Sequence, residues 1–231
     1  IPQTLSDYKI IIANGFILLS YRRIFSLETK LNMKKKYFDA ALWLSIATLF
    51  HACSVLYFIP LLATIILRPN DWFKHLLVLI FGAGSAGLSV YLFATVFGMK
   101  PSFFMFYSPK FNFAALSSIP QMMKVSLGVI SVMTIGSFLS LFPQLILKKS
   151  KKRINFIILF LMLFMGLITP FLAVNMFAEN TLFLIFPLAV ILAISTHRQR
   201  LSWLSDLFLI VLLSLVLLNL GLNIENQISL S

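Results

Sequence analysis

The sequence is poor in charge, in acidic residues and in cysteine. Of its 231 residues only 11% are charged, against about 25% in a typical soluble domain. Its single cysteine, Cys53, excludes an intrachain disulfide and a thiolate metal cluster. Hydrophobic residues instead make up 60% of the chain, and this composition excludes soluble enzymes, nucleic-acid-binding modules and disordered tails.

Long apolar runs separated by short basic segments predict an all-α, polytopic transmembrane helical bundle. Most of the runs are near the roughly 20 residues that a helix needs to cross about 30 Å of hydrocarbon. They lie at about 8–25, 38–67, 75–97, 120–147, 154–177, 181–196 and 202–222. We predict about eight helices in a single membrane domain covering residues 1–231, and we expect a further membrane segment before the first residue.

Residues 38–67 are too many for one crossing, because a single helix of that length would extend about 45 Å. We predict a hairpin of two short helices, 39–50 and 53–67, with its turn near His51. The hairpin brings the basic residues at 34–36 and 68–74 to one side of the membrane. Fifteen of the 19 cations then face the cytoplasm, as the positive-inside rule requires, and the loop 99–120 and the C-terminus are periplasmic.

The glycine-rich segment 82–87, GAGSAG, matches the dinucleotide-binding pattern G-x-G-x-x-G. That pattern requires a preceding strand and an acidic residue about 20 positions further on, whereas the next acidic residue here is Glu179. Small residues four positions apart instead let two membrane helices approach closely. No cofactor is therefore predicted, and the residues predicted to pack helices are Gly82, Ala83, Ala86 and Gly87.

Polar residues in or near the apolar runs are the candidates for a site. The three histidines share no face at i,i+3 or i,i+4 spacing, so we predict no metal or haem site. His51 lies deep in an apolar segment, where a polar side chain either bonds internally or serves function. Glu179 is either a polar turn residue or an acidic group at the mouth of a cavity. His51 and Glu179 are therefore the candidate cavity residues.

Two segments resemble the membrane core of GT-C glycosyltransferases. Residues 42–68, LWLSIATLFHACSVLYFIPLLATIILR, resemble its short-helix hairpin, with His51 at the polar position and Pro60 at the proline step. Residues 179–200, with Pro187, are similar to a later span of that core. The resemblance implies a transferase that uses a polyprenyl-phosphate-linked sugar at the periplasmic face, with its catalytic carboxylate upstream of this sequence. The residues that would hold the lipid phosphate are Lys100, Lys110 and Lys124.

The stretches Tyr21–Leu27 and Lys34–Phe50 are similar to an uncharacterised family of polytopic inner-membrane proteins from Flavobacterium-like Bacteroidota. Because no complete catalytic constellation can be assembled, the favoured function is a non-catalytic, lipid-binding accessory or scaffold subunit of an envelope-biogenesis complex. Its expected location is the bacterial inner membrane, with membrane lipids and protein subunits as partners and no nucleic acid. The alternatives are a GT-C-like transferase and, third, a transporter, which the shortage of ionisable groups within the membrane disfavours.

Overall fold

The computed structural model describes residues 8–29, 31–68, 71–98, 150–172 and 180–198, together with Lys124, Gly128 and Ile210. Within these residues all regular elements are helical and none is a strand, so the all-helical class is confirmed for this part of the chain. The α-helices are α1 Tyr8–Ser26, α2 Met33–Phe50, α3 Phe58–Leu67, α4 Trp72–Val96, α5 Ser150–Leu172 and α6 Leu182–Arg198. Six helices are thus counted here rather than about eight, and the predicted spans 120–147 and 202–222 lie almost entirely outside the described residues.

Helices α1 and α2 pack as an antiparallel pair. On each helix, buried residues recur every three or four positions and form one stripe. The stripes consist of Ile10, Ala13, Ile17, Ser20, Tyr21 and Ile24 on α1 and of Tyr37, Ala40, Ala41, Leu44 and Ala47 on α2. Phe16 stacks on Trp43 and Phe50 with ring centroids 5.7 and 5.9 Å apart. Asn32, with a φ of 51°, turns the chain between the two helices.

The second helix ends at His51, whose backbone is extended, with a φ of −147° and a ψ of 110°. A 3₁₀ segment, Ala52–Tyr57, leads into α3, where Pro60 lies in the first turn and its missing N–H breaks no helical bond. The hydroxyl groups of Tyr37, near the start of α2, and Thr64, near the end of α3, are hydrogen-bonded at 3.3 Å. The chain therefore folds back at His51, and α2 begins at Met33 rather than at residue 39 as predicted.

Helix α4 buries one narrow face against its neighbours, and its other described residues are half-buried or exposed. The buried residues of this face recur at helical spacing and are His75, Leu79, Gly82 and Ala86. A Cβ on Gly82 would lie 2.7 Å from the carbonyl oxygen of Phe38 and 3.1 Å from Cβ of Ala41. The absence of a side chain at Gly82 therefore lets α4 approach the backbone of α2 closely, as small residues do between membrane helices.

Helices α5 and α6 also meet at a glycine. A Cβ on Gly166 would lie 3.1 Å from Cα of Leu184, so the two backbones are in close contact there. The chain divides into two compact units, Ile1–Ser117 with Leu145–Pro187 and Ser118–Gln144 with Leu188–Ser231. The contacts described below all lie within the first unit, and the single domain over 1–231 stays a prediction.

Within the described residues, three helices are long and apolar enough to cross a membrane. They are Tyr8–Thr29, Trp72–Phe93 and Arg153–Leu172, each close to the roughly 20 residues that a crossing requires. Two further apolar helices, Ala52–Leu67 and Leu182–Ile191, are shorter. The first of these is the return arm of the hairpin. The described structure is therefore compatible with the predicted membrane protein.

Candidate functional site

The hairpin turn is held by backbone hydrogen bonds and by an aromatic stack. The His51 N–H donates to the carbonyl of Ala47 at 2.9 Å, and the Ser54 N–H donates to the carbonyl of His51 at 3.0 Å. The imidazole ring stacks on Phe183, in the first turn of α6, with centroids 5.3 Å apart and planes at 26°. The half-buried His51 ring is thus packed against an aromatic ring of another helix.

A group of buried hydroxyl groups lies next to this stack. Tyr57 contacts Phe183, and it meets Tyr21 edge to face with ring centroids 5.9 Å apart. Tyr21 also stacks on Phe186 at 5.3 Å. The Tyr57 hydroxyl interacts electrostatically with Tyr21 and Thr169, yet neither tyrosine hydroxyl reaches full hydrogen-bond geometry with a described residue. A buried polar group without a hydrogen bond costs about 1–3 kcal/mol. These two hydroxyl groups are therefore expected to lower the stability of the folded chain.

Apart from the His51 imidazole, the described polar side chains near the turn are neutral hydroxyl and amide groups. Three more polar side chains are buried without a hydrogen-bond partner among the described residues, namely Ser20, Ser54 and Asn180. The acidic side chains that the structure describes all lie at the opposite end of the hairpin and are Glu28, Asp39 and Asp71. No group of three or more histidine, cysteine or acidic side chains that could hold a metal ion occurs in the described part of the chain.

The opposite end of the hairpin carries a charged network that joins three helices. Asn155, near the start of α5, donates from Nδ2 to Oε2 of Glu28 at 2.7 Å. Its Oδ1 accepts a hydrogen bond from Nη2 of Arg68 at 3.0 Å. Partial burial lowers the pKa of the Arg68 guanidinium, which nevertheless stays protonated because arginine keeps its charge in proteins. A neutral amide therefore bridges an anion that follows α1 and a cation that follows α3.

Further polar contacts tie α1 to α2 at the same end. Nη2 of Arg23 lies 3.1 Å from Oδ2 of Asp39. Nζ of Lys36 donates to the carbonyl oxygen of Ser26 and to the hydroxyl of Thr29, both at 2.6 Å. These bonds connect the last turn of α1 with the first two turns of α2.

The beginning of α4 also lies at this end. Lys74 donates to Oδ1 of Asp71 at 3.0 Å and holds the pKa of that carboxyl below its usual value, with a smaller contribution from Lys34. The buried ring of His75 packs against Tyr37, with centroids 4.7 Å apart. Contacts from five helices therefore gather the basic segments at one end. We call this region the basic end, and its described cations are Arg22, Arg23, Lys34, Lys35, Lys36, Arg68, Lys74 and Arg153.

The structure describes only some of the predicted cavity and lipid-binding residues. His51 lies at the hairpin turn, against α6. Glu179, Lys100 and Lys110 lie outside the described residues. Lys124 is helical and exposed and belongs to the second compact unit. The predicted grouping of these lysines at a lipid phosphate stays a prediction.

The four predicted packing residues differ in their surroundings. Gly82 lies against α2, and Ala86 is buried. Ala83 is half-buried. A Cβ on Gly87 would meet no heavy atom within 4 Å. Close approach between helices is therefore seen at Gly82, one of the four positions.

Sequence reasoning missed Asn155 and the contact between Tyr21 and Tyr57. Asn155 had a usable signal, because an amide at the border of an apolar run and a basic cluster commonly bonds between membrane helices. The two tyrosines had no such signal in the sequence. An aromatic residue in an apolar helix is equally compatible with a lipid-facing position, and the 3₁₀ spacing that turns Tyr57 inward is not visible in the sequence.

Helices of membrane-spanning length, a folded-back apolar segment and charge gathered at one end are together compatible with a helical membrane protein. Residues 4–226 match the family of unknown function DUF6427, and the chain therefore belongs to that family. Comparisons with curated proteins and with solved structures give no match. The resemblances to GT-C glycosyltransferases and to inner-membrane proteins of Bacteroidota accordingly stay predictions.

Proposed function

We propose that this protein is a non-catalytic scaffold or accessory subunit of a complex in the bacterial inner membrane. The packing of the hairpin turn carries this proposal. The ring of His51 stacks on Phe183, and Phe183 also contacts Tyr57, so aromatic rings from two separate parts of the chain interlock around the turn. A polar side chain within an apolar segment serves either internal packing or function, and the stack supports internal packing for His51.

The basic end supports the proposed topology. The positive-inside rule assigns short loops rich in lysine and arginine to the cytoplasm. The bridge from Glu28 through Asn155 to Arg68 brings the ends of three helices together. The ion pair between Arg23 and Asp39 connects the start of α2 to the same end. We infer that this end is cytoplasmic and that the loop 99–120 and the C-terminus are periplasmic.

A GT-C-like glycosyltransferase is the second candidate. The helix break at His51, followed by Pro60 in the returning helix, is the observation that favours it, because this order matches the hairpin of that core. Such an enzyme needs a carboxylate facing its substrate. The acidic side chains that the structure describes lie at the basic end, away from the turn.

Replacements of His51 separate the two candidates. His51→Phe keeps a ring that stacks on Phe183 but removes both ring nitrogens, whereas His51→Ala removes the stack. Each variant is produced as the full chain in a strain without the chromosomal gene. The mass of the assembly extracted in mild detergent and the integrity of the envelope are then measured at matched membrane abundance.

A scaffold predicts that His51→Phe keeps the assembly and restores the envelope, and that His51→Ala lowers the amount of folded protein. A transferase predicts that His51→Phe is folded and abundant but inactive. A wild-type protein that is extracted as an isolated monomer would contradict the scaffold proposal directly.

A further inference from the structure

The basic end carries more positive charge than its own acids neutralise. The described residues there include eight basic and three acidic side chains, an excess of five positive charges. Each acid is already engaged, since Glu28 bonds to Asn155, Asp39 pairs with Arg23 and Asp71 pairs with Lys74. The acids that the structure describes therefore leave this excess unneutralised.

The exposed cations of the basic end include one on each of three helices that no described hydrogen bond or ion pair occupies. They are Arg22 on α1, Lys35 on α2 and Arg153 on α5. Each lies within two residues of a side chain fixed by the network, and these fixed side chains are Arg23, Lys36 and Asn155. The contacts between helices therefore hold three cations of separate elements at one end of the fold.

Exposed aromatic residues mark the depth at which this end lies. Trp72 and Phe73, in the first turn of α4, are each 57% exposed, and their rings meet edge to face at 5.9 Å. Tryptophan is enriched where the headgroups meet the hydrocarbon. Large apolar side chains continue along the exposed face of α4, among them Ile80 and Phe81. The cations thus lie beside exposed aromatic residues and beside the apolar face of α4. This combination is better suited to a lipid surface than to an acidic protein surface.

We propose that the basic end binds the phosphate groups of anionic phospholipids through Arg22, Lys35 and Arg153. Arginine binds phosphate in a bidentate geometry, and lysine contributes a compact charge. The inference rests on the membrane placement proposed above, and it does not depend on the scaffold role.

The test uses the full chain in nanodiscs of phosphatidylcholine and phosphatidylglycerol in equal amounts. After release into detergent, native mass spectrometry counts the lipids that each protein retains. The test variant combines Arg22→Gln, Lys35→Gln and Arg153→Gln. The matched control is Lys9→Gln, which removes an exposed cation near the beginning of α1, at the end of that helix away from Arg22.

Wild-type protein is expected to retain phosphatidylglycerol in preference to phosphatidylcholine. The preference should fall about fivefold for each of the three cations removed and should weaken at high salt. Lys9→Gln should leave it unchanged. A double variant with Arg22→Lys and Arg153→Lys keeps the charge but loses the bidentate geometry, so it should keep most of the preference, in contrast to the triple variant.

Equal retention of both lipids by the wild type would overturn the proposal and would favour an acidic protein surface as the partner. An unchanged preference in the triple variant, or an equal loss in Lys9→Gln, would overturn it as well. A wild-type monomer in detergent would contradict the scaffold function alone, so the two failures are distinguishable.

Discussion

Substituting Gly82 by alanine should separate α4 from α2. The added Cβ would lie 2.7 Å from the carbonyl oxygen of Phe38, closer than such atoms approach in real structures, and 3.1 Å from Cβ of Ala41. Both neighbours belong to the helix itself and cannot rotate away, so the two helices must move apart. Overpacking of this kind costs about 1–3 kcal/mol, while replacing a helical glycine by alanine returns up to about 1 kcal/mol. The free energy of unfolding should therefore fall by about 1–2 kcal/mol.

Two other glycines of α4 provide matched controls. A Cβ on Gly84 or Gly87 would meet no heavy atom within 4 Å, so alanine there should leave stability unchanged or raise it by up to about 1 kcal/mol. The assay is the thermal midpoint of purified protein in detergent, followed by tryptophan fluorescence. In chains of this size 1 kcal/mol corresponds to about 2–4 °C. A Gly82→Ala midpoint at or above that of Gly87→Ala would refute the reasoning.

Two further predictions concern polar contacts and use the same thermal assay. Asn155→Leu removes both bonds of the bridging amide and leaves a half-buried guanidinium without its acceptor, so it should lower the free energy of unfolding by about 2 kcal/mol. Arg153→Gln, on the exposed surface nearby, should change it by less than about 0.5 kcal/mol, and equal effects of the two would contradict the bridge. Tyr57→Phe should be neutral or stabilising, because the buried hydroxyl has no full hydrogen bond. Tyr37→Phe loses its bond to Thr64 and should cost about 1 kcal/mol; a larger loss for Tyr57→Phe would contradict this account.

The hairpin was predictable because two independent limits act on the same segment. Membrane thickness limits the length of a crossing helix, and the charges at both ends of residues 38–67 favour one side of the membrane. The structure places the break at His51, where these limits predict the turn. The start of α2 was not predictable, because lysine is a good helix former and the helix continues past the apolar run to Met33.

The sequence does not show which face of each helix is buried against its neighbours. In a membrane protein, lipid-facing and buried residues are both apolar, so hydrophobicity does not separate them. Gly82 and Gly87 are both glycines of α4, yet of the two only Gly82 lies against a neighbouring backbone. Asn155 likewise acquires its role from Glu28 and Arg68, which are distant in the sequence.

The two ends of the hairpin are stabilised by different physical means, and the difference bears on function. At the basic end, charged groups have partners and the remaining cations are exposed, so substitutions there can alter binding without disturbing the core. At the turn, the Phe183 ring contacts the rings of both His51 and Tyr57, so removing one of these rings leaves a gap that the others cannot fill. Loss of function in His51→Ala would therefore not identify a catalytic residue. His51→Phe is the informative replacement, because it retains the ring and removes only the nitrogen atoms.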